Sequence, residues 1–294
     1  MIYRPKISNC PLCGCSEIEF AFTKNNFTHP YDIFNCNRCG FRFMNPMFSD
    51  KIISAMYQEN YYTGSSEYHY VDERDNFRYS SFVWKARLKK IRKYAKTGNF
   101  LDIGCSFGGL LLNAKKYFFV YGIELSAFSG NYIKKLIGDS IHIGSIRDHN
   151  FEKNYFNVIS AIELIEHTDD PVYFIKECYS LLKPGGLLVL QTADIGALQA
   201  ENAGENYHYY LPGHLSYFSE KCLTELLKSS GFSKIKVFRP VEFGLIPKLR
   251  KSSKDFKKPT DYKKWITIAK YHFSGYLRKK GKPLTSSMVL YAVK

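Results

Sequence analysis

The sequence lacks any run of eighteen apolar residues, and it is short of acidic side chains. The first absence excludes a membrane-spanning helix. Residues 1–10 also lack the apolar core of a secretory signal, so we expect a cytoplasmic chain. The second absence leaves 42 basic against 27 acidic residues, a formal net charge of +15. Such an excess favours an anionic partner, and the position of the charges along the chain indicates where that partner would bind.

Cysteine is concentrated near the N-terminus, where five of the eight fall within the first forty residues. Cys10 and Cys13 form one C-x-x-C-G turn, and Cys36 and Cys39 form a second after twenty-two intervening residues. Because each turn presents two thiolates, the pair predicts a structural zinc ion with four sulfur ligands. A pair of reduced cysteine turns is the alternative. Cys15 is not predicted to bind the metal, and a closed zinc site supplies no chemistry.

Residues 99–112, NFLDIGCSFGGLLL, predict a buried strand, a glycine-rich turn and the start of a helix. Twenty positions after Gly104 the next strand ends in Glu124, an acid placed to bind both hydroxyls of an adenosine ribose. Ser106 stands where a dinucleotide site requires its second glycine, and Asp102 can reach a cationic ligand. The pattern therefore favours S-adenosylmethionine (SAM) over NAD, with a tight turn that binds no ligand as the alternative.

Strands and helices alternate through residues 99–192, which predicts a parallel sheet covered by helices on both faces. A ligand then lies outside the carboxyl ends of the strands. The predicted elements are strands 99–103, 118–123, 140–143, 155–161 and 186–192, and helices 81–95, 107–117, 126–137 and 171–182.

Three motifs, DIGCSFGG, FNVISAIELIEH and LLKPGGLLVL, resemble the successive motifs of class I SAM-dependent methyltransferases. The match is closest to the branch that carries an N-terminal zinc ribbon and acts on sugars and small metabolites. The resemblance covers nearly the whole chain and implies a doubly wound, Rossmann-like α/β sheet of seven strands with the last one antiparallel. It also implies a zinc ribbon at 1–45, an aromatic and helical connector at 46–98, and a SAM-binding domain at 99–294 with a basic insertion at about 241–284.

The resemblance implies SAM as the cofactor and identifies a set of residues around it. These are Asp102, Gly104, Cys105, Ser106, Gly108, Glu124, Leu125, Ser145, Ile146, Ala161 and Tyr62. Ser145, or Asp148 reaching back, would bind the adenine. Tyr57, Tyr61 and Tyr62 belong to a segment that covers the cofactor mouth in the family, with ordinary packing against the main domain as the alternative. The connector also contains Tyr68 and Tyr70.

The segment 214–219, HLSYFS, resembles the substrate loop of the family. We predict His214 as the base that takes a proton from the acceptor, with Tyr217 or Tyr210 orienting or sharing that proton. His208 is the reserve candidate. The alternatives for His214 are capping the following helix and binding the cofactor carboxylate. An acid–base role would also suit the side chains of Glu163, Glu166 and His167, but we interpret these residues as structural.

The basic excess is concentrated in residues 248–282, where thirteen basic side chains face only Asp255 and Asp261, a net charge of +11. Apolar residues between Trp265 and Leu277 predict an amphipathic helix there. Four interpretations are open: an anionic membrane surface, an anionic acceptor such as a nucleotide-sugar or a lipid-linked diphosphate, an RNA backbone, and a solvated lid.

We predict methyl transfer to a sugar or glycan in surface-polysaccharide or natural-product assembly. RNA methylation and a non-catalytic SAM-binding regulator are the alternatives. Nucleic acid is disfavoured because the ribbon carries no basic stripe and the chain has no N-P-P-Y-like motif. We expect the protein to be cytoplasmic, with peripheral contact at the inner face of a membrane through the basic insertion.

Overall fold

The computed structural model describes residues 1–64 and 72–294, so Tyr68 and Tyr70 of the predicted connector lie outside the described residues. The strands are β1 (Ile18–Lys24), β2 (Tyr31–Cys36), β3 (Arg42–Met44), β4 (Asn99–Ile103), β5 (Phe119–Glu124), β6 (Ile141–Ile143), β7 (Phe156–Ile162), β8 (Leu182–Ala193), β9 (Ser216–Tyr217), β10 (Ser233–Phe238), β11 (Arg278–Lys279), β12 (Lys282–Pro283) and β13 (Ser287–Val293). The α-helices are α1 (Asp50–Met56), α2 (Glu59–Thr63), α3 (Phe77–Ile91), α4 (Gly109–Ala114), α5 (Ala127–Ile137), α6 (Pro171–Leu181), α7 (Leu198–Ala203), α8 (Glu220–Ser229), α9 (Leu245–Ser252) and α10 (Tyr262–Ser274).

A seven-stranded sheet in the order β10-β13-β8-β7-β4-β5-β6 forms the centre of the fold. Strands β4 to β8 pair in parallel, whereas β13 runs antiparallel to both β8 and β10. The predicted Rossmann-like sheet with an antiparallel last strand is therefore confirmed. This order places the carboxyl ends of β4, β5, β6 and β7 along one edge, where a ligand site is expected.

Both faces of the sheet are buried, and alternate residues of β7 belong to different halves of the core. Ile159 packs in a cluster with Phe174 of α6 and Leu223 of α8. Its neighbour Val158 packs in a second cluster with Leu88 of α3. Successive side chains of a strand point to opposite faces, so this partition shows helices on both sides of the sheet, as the sequence predicts.

Three predicted elements differ from the structure by more than one residue at a boundary. Helix α3 covers Phe77–Ile91, so it begins and ends four residues earlier than the predicted span 81–95. Strand β8 begins at Leu182, four residues before the predicted start, because Leu182 already pairs with Phe156 before the register shifts at Val158. Helix α4 covers only Gly109–Ala114, a shorter span than the predicted 107–117. It begins late because the turn before it continues to Gly108, whose φ of +76° is not helical.

The N-terminal unit is tied to the C-terminal half of the chain through a second sheet, in the order β1-β2-β3-β9. Strand β9 lies in the loop that follows β8, and it pairs antiparallel with β3 through Arg42 with Tyr217 and Phe43 with Ser216. The Met44 amide also donates to the Leu215 carbonyl at 3.0 Å. The cysteine-rich unit therefore supports the loop that contains His214.

The basic insertion folds as α9, α10 and the β11–β12 hairpin between β10 and β13. The predicted amphipathic helix corresponds to α10. In the parts of the chain that the structure describes, no helix is both long and apolar enough to cross a bilayer.

Candidate active site

The turn after β4 has the shape that the glycine-rich motif predicts. Gly104 has φ +73°, and a Cβ atom there would lie 2.8 Å from Leu164 Cδ1, so a side chain would be both strained and crowded. Ser106 also has a positive φ, +48°. Its buried Oγ has no hydrogen-bond partner among the described residues. Buried hydroxyls usually have partners, so this one fits a ligand that lies against the turn.

Glu124, at the end of β5, is buried beside the turn. Its carboxylate accepts hydrogen bonds from the Ser106 amide at 2.7 Å, the Ser126 amide at 3.0 Å and the Tyr62 hydroxyl at 3.2 Å. Burial raises the pKa of Glu124, and the two amide donors oppose that rise. The acid predicted from its spacing therefore lies directly against the glycine-rich turn.

Asp102 is 6 % exposed and accepts a hydrogen bond from Ser160 Oγ at 2.5 Å. Burial raises the pKa of Asp102 to about 7, and the bond from Ser160 opposes the rise only in part. A buried carboxylate in this state gains from a cationic partner, because a nearby positive charge stabilises its ionised form. The ammonium of an amino-acid ligand would be such a partner.

The remaining predicted cofactor residues lie along the same edge of the sheet. Cys105 and Ala161 are buried, Ser145 and Ile146 follow β6, and Leu125 follows Glu124 with 51 % of its surface exposed. The Ser145 amide donates to Asp148 Oδ1 at 2.8 Å, so the two candidates for the adenine contact each other. The topology thus brings the predicted set together, and its role in cofactor binding stays a prediction.

Helix α2 covers this edge from the connector. Tyr61 and Tyr62 are buried and pack with Phe107 of the glycine-rich turn. The hydroxyl of Tyr57, just before α2, lies 2.8 Å from His167 Nδ1. These tyrosines therefore pack on the main domain and lie at the site at the same time, so the two alternatives drawn from the sequence do not exclude each other.

Two histidines meet beside the end of β7, with His167 and His214 ring centroids 4.7 Å apart. Nδ1 of His214 lies 2.7 Å from the Tyr209 carbonyl, and Nδ1 of His167 lies 2.9 Å from the Gly213 carbonyl. Carbonyl oxygens only accept, so each Nδ1 carries the proton and each Nε2 carries the lone pair. Burial lowers the pKa of His167 to about 4 and that of His214 well below its usual range, so both rings are neutral at pH 7.

Glu166 lies against this histidine pair. Its carboxylate accepts hydrogen bonds from the Tyr209 hydroxyl and, at 2.9 Å, from Thr192 Oγ1. Burial and the neighbouring Glu163 raise the pKa of Glu166 well above the usual range. One ligating atom from each of Glu166, His167 and His214 lies within 4.8 Å of the others. We call Glu166, His167, Tyr209 and His214 the polar cluster.

Glu163 stands at the mouth of the polar cluster. It is exposed and has φ +51°, a conformation that is costly for a residue with a side chain and that tends to occur at functional sites. Its carboxylate accepts from Gln191 Nε2 at 2.5 Å and from the Tyr209 hydroxyl at 3.0 Å. Gln191 in turn accepts from Arg87, whose guanidinium is paired with the buried Glu242 at 2.5 Å.

A sheet of this order, a buried acid at the end of β5 and a glycine-rich turn are therefore all present. A family model described as a methyltransferase domain matches residues 77–237, more than half of the chain. The chain belongs to the class I SAM-dependent methyltransferases.

Sequence relatives of this methyltransferase include an uncharacterised protein of Methanocaldococcus jannaschii, 24 % identical over 177 residues that span 58 % of this chain and 83 % of that protein. A ubiquinone biosynthesis O-methyltransferase of Coxiella burnetii is 33 % identical over 115 residues, 36 % of this chain. The match spans about half, 49 %, of that enzyme.

Solved structures share the fold of this methyltransferase. Phosphoethanolamine N-methyltransferase 2 of Haemonchus contortus, solved with SAM, has a TM-score of 0.53 and 17 % identity, and the match covers 93 % of this chain and 71 % of that one. A SAM-dependent methyltransferase of Thermotoga maritima, described as a possible histamine N-methyltransferase, has a TM-score of 0.50 and 19 % identity, with coverage of 76 % and 95 %. At these identities the likeness shows the fold alone.

The other predicted catalytic residues of this methyltransferase point elsewhere. The Tyr217 hydroxyl donates to the His214 carbonyl at 2.8 Å, and the Tyr210 hydroxyl accepts from Arg42 at 2.8 Å. His208 is exposed beside Tyr207. Tyr209, which contacts Glu163, Glu166 and His214, was not singled out from the sequence. Its only sequence signal is its place in the aromatic run YHYY.

The four clustered cysteines of this methyltransferase come together as the C-x-x-C-G spacing predicts. The sulfur atoms of Cys10 and Cys39 lie 3.7 Å apart, those of Cys13 and Cys36 lie 3.6 Å apart, and all four are within 4.8 Å of one another. Four sulfurs at about 2.3 Å from a tetrahedral zinc ion would be about 3.8 Å apart. The donor set and its spacing therefore fit zinc.

Proposed function

We propose that this methyltransferase transfers the methyl group of SAM to a hydroxyl oxygen or an acidic carbon of a sugar or glycan. The observation that supports the proposal is the polar cluster at the end of β7. It places two neutral imidazoles beside a buried carboxylate, under a rim of hydrogen-bonding groups. A polyhydroxylated acceptor could exchange hydrogen bonds with such groups, whereas an apolar acceptor could not.

In this proposal His214 accepts the proton from the acceptor. Its Nδ1–H is held by the Tyr209 carbonyl, which fixes the ring and leaves the Nε2 lone pair as the basic site. The low pKa of His214 keeps the ring unprotonated at pH 7. Glu166, with Tyr209 and Thr192 donating to it, lies next to the histidine pair, and its ionised form would stabilise the imidazolium that forms.

The rim would recognise the acceptor. Glu163 and Gln191 supply acceptors and donors for sugar hydroxyls, and Lys248 of α9 supplies a cation on the same side. Burial lowers the pKa of Lys248 to about 8, with Lys251 and Arg87 acting in the same direction. An anionic group bound beside Lys248 would stabilise its charged form. An anionic acceptor such as a nucleotide-sugar therefore fits this side of the site.

Asp102, Glu124 and Ser106 would hold the cofactor, and the ring of Tyr62, packed on Phe107, would cover it. When bound, SAM supplies an electrophilic methyl group. Asp102 would pair with its cationic amino acid, Glu124 would accept from its ribose, and the turn at Ser106 would lie against it. Helix α2 would keep water from the site through Tyr57 and Tyr62.

Cys10, Cys13, Cys36 and Cys39 would hold a structural zinc ion. With four protein ligands the ion has no open position, so its role is to fix the fold of the N-terminal unit. Because β3 of that unit pairs with β9, the ion would also stabilise the loop that carries His214.

The test incubates the full-length protein with methyl-labelled SAM and a fractionated cell extract. Label is then counted in nucleotide-sugar, lipid-linked glycan, RNA and protein fractions. We expect label in a sugar-containing fraction. Label in RNA would instead support the nucleic-acid alternative, and no label in any fraction would support a SAM-binding regulator.

Two variants test the base. In His214→Asn the amide can still donate to the Tyr209 carbonyl, but the basic nitrogen is lost. The rate is then expected to fall by about 100-fold or more with SAM affinity unchanged. His29→Asn, on a histidine packed against Phe48 in the N-terminal unit, is the matched control and should stay within about twofold of the wild-type rate. Full activity of His214→Asn would exclude His214 as the base.

A further inference from the structure

Helix α10 shows an apolar stripe on its outer surface. Tyr262, Ile266, Ala269 and Phe273 follow one another at spacings of four, three and four residues, which places them on one face of a helix. The exposed fractions of Tyr262, Ile266 and Phe273 are 54 %, 46 % and 62 %. We call these four residues the outer stripe. Amphipathic helices of globular proteins normally turn such a stripe inward, so this one faces a partner or solvent.

The side of α10 that packs on the protein is a different one. His272 is buried. Gly275, the residue after the helix, packs closely against Pro240, since a Cβ atom at Gly275 would lie 2.6 Å from Pro240 Cδ. The orientation of α10 is therefore set by contacts that leave the outer stripe exposed. Exposed apolar side chains continue beyond the stripe, at Ile246 on α9 and at Tyr276 and Leu277 after α10.

Positive charge surrounds the outer stripe. Residues 248–282 carry thirteen basic and two acidic side chains. Two of the thirteen, Arg278 and Lys282, form ion pairs, with Glu220 and Glu201. The other eleven have no salt-bridge partner within residues 1–64 and 72–294. Lys263 and Lys270 lie on α10 itself and are exposed. Exposed cations that form no salt bridge with the described residues therefore lie beside the apolar face.

We infer that α10 and its flanking lysines form a docking surface for an anionic lipid bilayer. Three features support this partner over the others. An interfacial helix combines an apolar face with flanking Lys residues, and aromatic rings such as Tyr262 and Phe273 suit the headgroup boundary. A second copy of the chain would bring two surfaces of charge +11 together. An RNA strand would match the charge but not Ile266 and Ala269, which offer no ring for a base to stack on.

The inference is independent of the acceptor, since it concerns a surface outside the polar cluster. It would, however, place the methyltransferase next to membrane-bound material. Helix α9, which carries Lys248 at the rim of the polar cluster, packs against α10. The docking surface and the acceptor side of the site are therefore on adjacent helices.

The experiment measures co-sedimentation of the full-length protein with vesicles of phosphatidylcholine containing about one third phosphatidylglycerol, beside vesicles of phosphatidylcholine alone. Binding is expected only to the anionic vesicles and is expected to weaken as salt is raised. Ile266→Ser/Phe273→Ser should lower the partition coefficient by about tenfold or more. Lys263→Glu/Lys270→Glu should lower it by about 25-fold or more, because each lysine near the surface contributes about fivefold.

Matched controls carry the same substitutions elsewhere. Phe119→Ser removes another exposed aromatic residue, and Lys115→Glu/Lys116→Glu reverses two exposed lysines after α4. Both should bind vesicles like the wild type. Trp265, beside the outer stripe, provides a second readout in a Trp84→Phe background: its emission should shift to shorter wavelength with anionic vesicles.

The inference would be overturned by any of the following results. The first is no binding to anionic vesicles at low salt. The second is vesicle binding that survives Ile266→Ser/Phe273→Ser, which would indicate a generic charge surface. Binding to single-stranded RNA that depends on Lys263 and Lys270, while vesicle binding does not, would indicate a nucleic-acid surface. The third is a dimer in solution that the stripe variant dissociates, which would indicate self-association.

Discussion

Asp102 leads to a quantitative prediction about cofactor binding. The carboxyl is buried with a pKa of about 7, so half of the molecules without cofactor hold a proton there at pH 7. If Asp102 pairs with the ammonium group of SAM, only the ionised form binds. The dissociation constant should then rise about fivefold from pH 7 to pH 6 and about ninefold from pH 6 to pH 5, which is about 50-fold in total.

Other groups near the site should not mimic this change. The amino group of SAM stays protonated below pH 7. Burial holds the pKa of His167 near 4 and keeps His214 neutral over the same range. Glu124 also has a raised pKa, but in the proposed arrangement it would bind the ribose. Methylthioadenosine shares the ribose and lacks the amino acid, so its affinity should not follow the titration of Asp102.

The assay is isothermal titration calorimetry of SAM and of methylthioadenosine at several pH values, for wild type and Asp102→Asn. The amide can still accept the bond from Ser160. The variant should bind SAM about 10- to 100-fold more weakly at pH 7 and should show no slope below it. Equal SAM affinities at pH 5 and pH 7, or the same slope for methylthioadenosine, would refute the pairing of Asp102 with the ammonium group.

Two further predictions concern the contacts around the site. Tyr62→Phe should tighten SAM binding by about 2- to 10-fold. The carboxylate of Glu124 already accepts three hydrogen bonds, and the two ribose hydroxyls would need the position that the Tyr62 hydroxyl occupies. Weaker binding of SAM than in the control Tyr61→Phe would contradict this reasoning. Removal of zinc with a chelator should lower Tm and should reduce kcat more than it reduces SAM affinity, because the N-terminal unit supports the His214 loop through β9. An unchanged kcat after measured loss of zinc would contradict this prediction.

The sequence predicts the cofactor side of the molecule well, because that side depends on local rules. A glycine-rich turn after a buried strand and an acid at the end of the next one lie on adjacent parallel strands, so Asp102 and Glu124 must come to one edge. The cysteine turns obey similar short-range rules. In the structure Gly104 and Ser106 indeed have positive φ, and the four cysteine sulfurs cluster.

The acceptor side was harder to predict because it joins residues distant in sequence. His167 and His214 are forty-seven positions apart, yet their rings meet, since a loop returns over the end of β7. Periodicity and motif spacing carry no information about such a return. For the same reason the sequence does not show that Tyr209, and not Tyr210 or Tyr217, contacts Glu163 and Glu166, because neighbouring residues in an irregular loop point in unrelated directions.

The pairing of β3 with β9 suggests why a cysteine-rich unit accompanies this catalytic domain. Strand β9 has only two residues and could not hold the loop before it in place alone, because so short a strand makes few hydrogen bonds. Adding it to the edge of a three-stranded sheet gives it a rigid neighbour. His214 lies two residues before that strand, and Tyr217, within it, donates back to the His214 carbonyl. The position of the proposed base therefore depends on a sheet whose other three strands belong to the unit that contains Cys10, Cys13, Cys36 and Cys39.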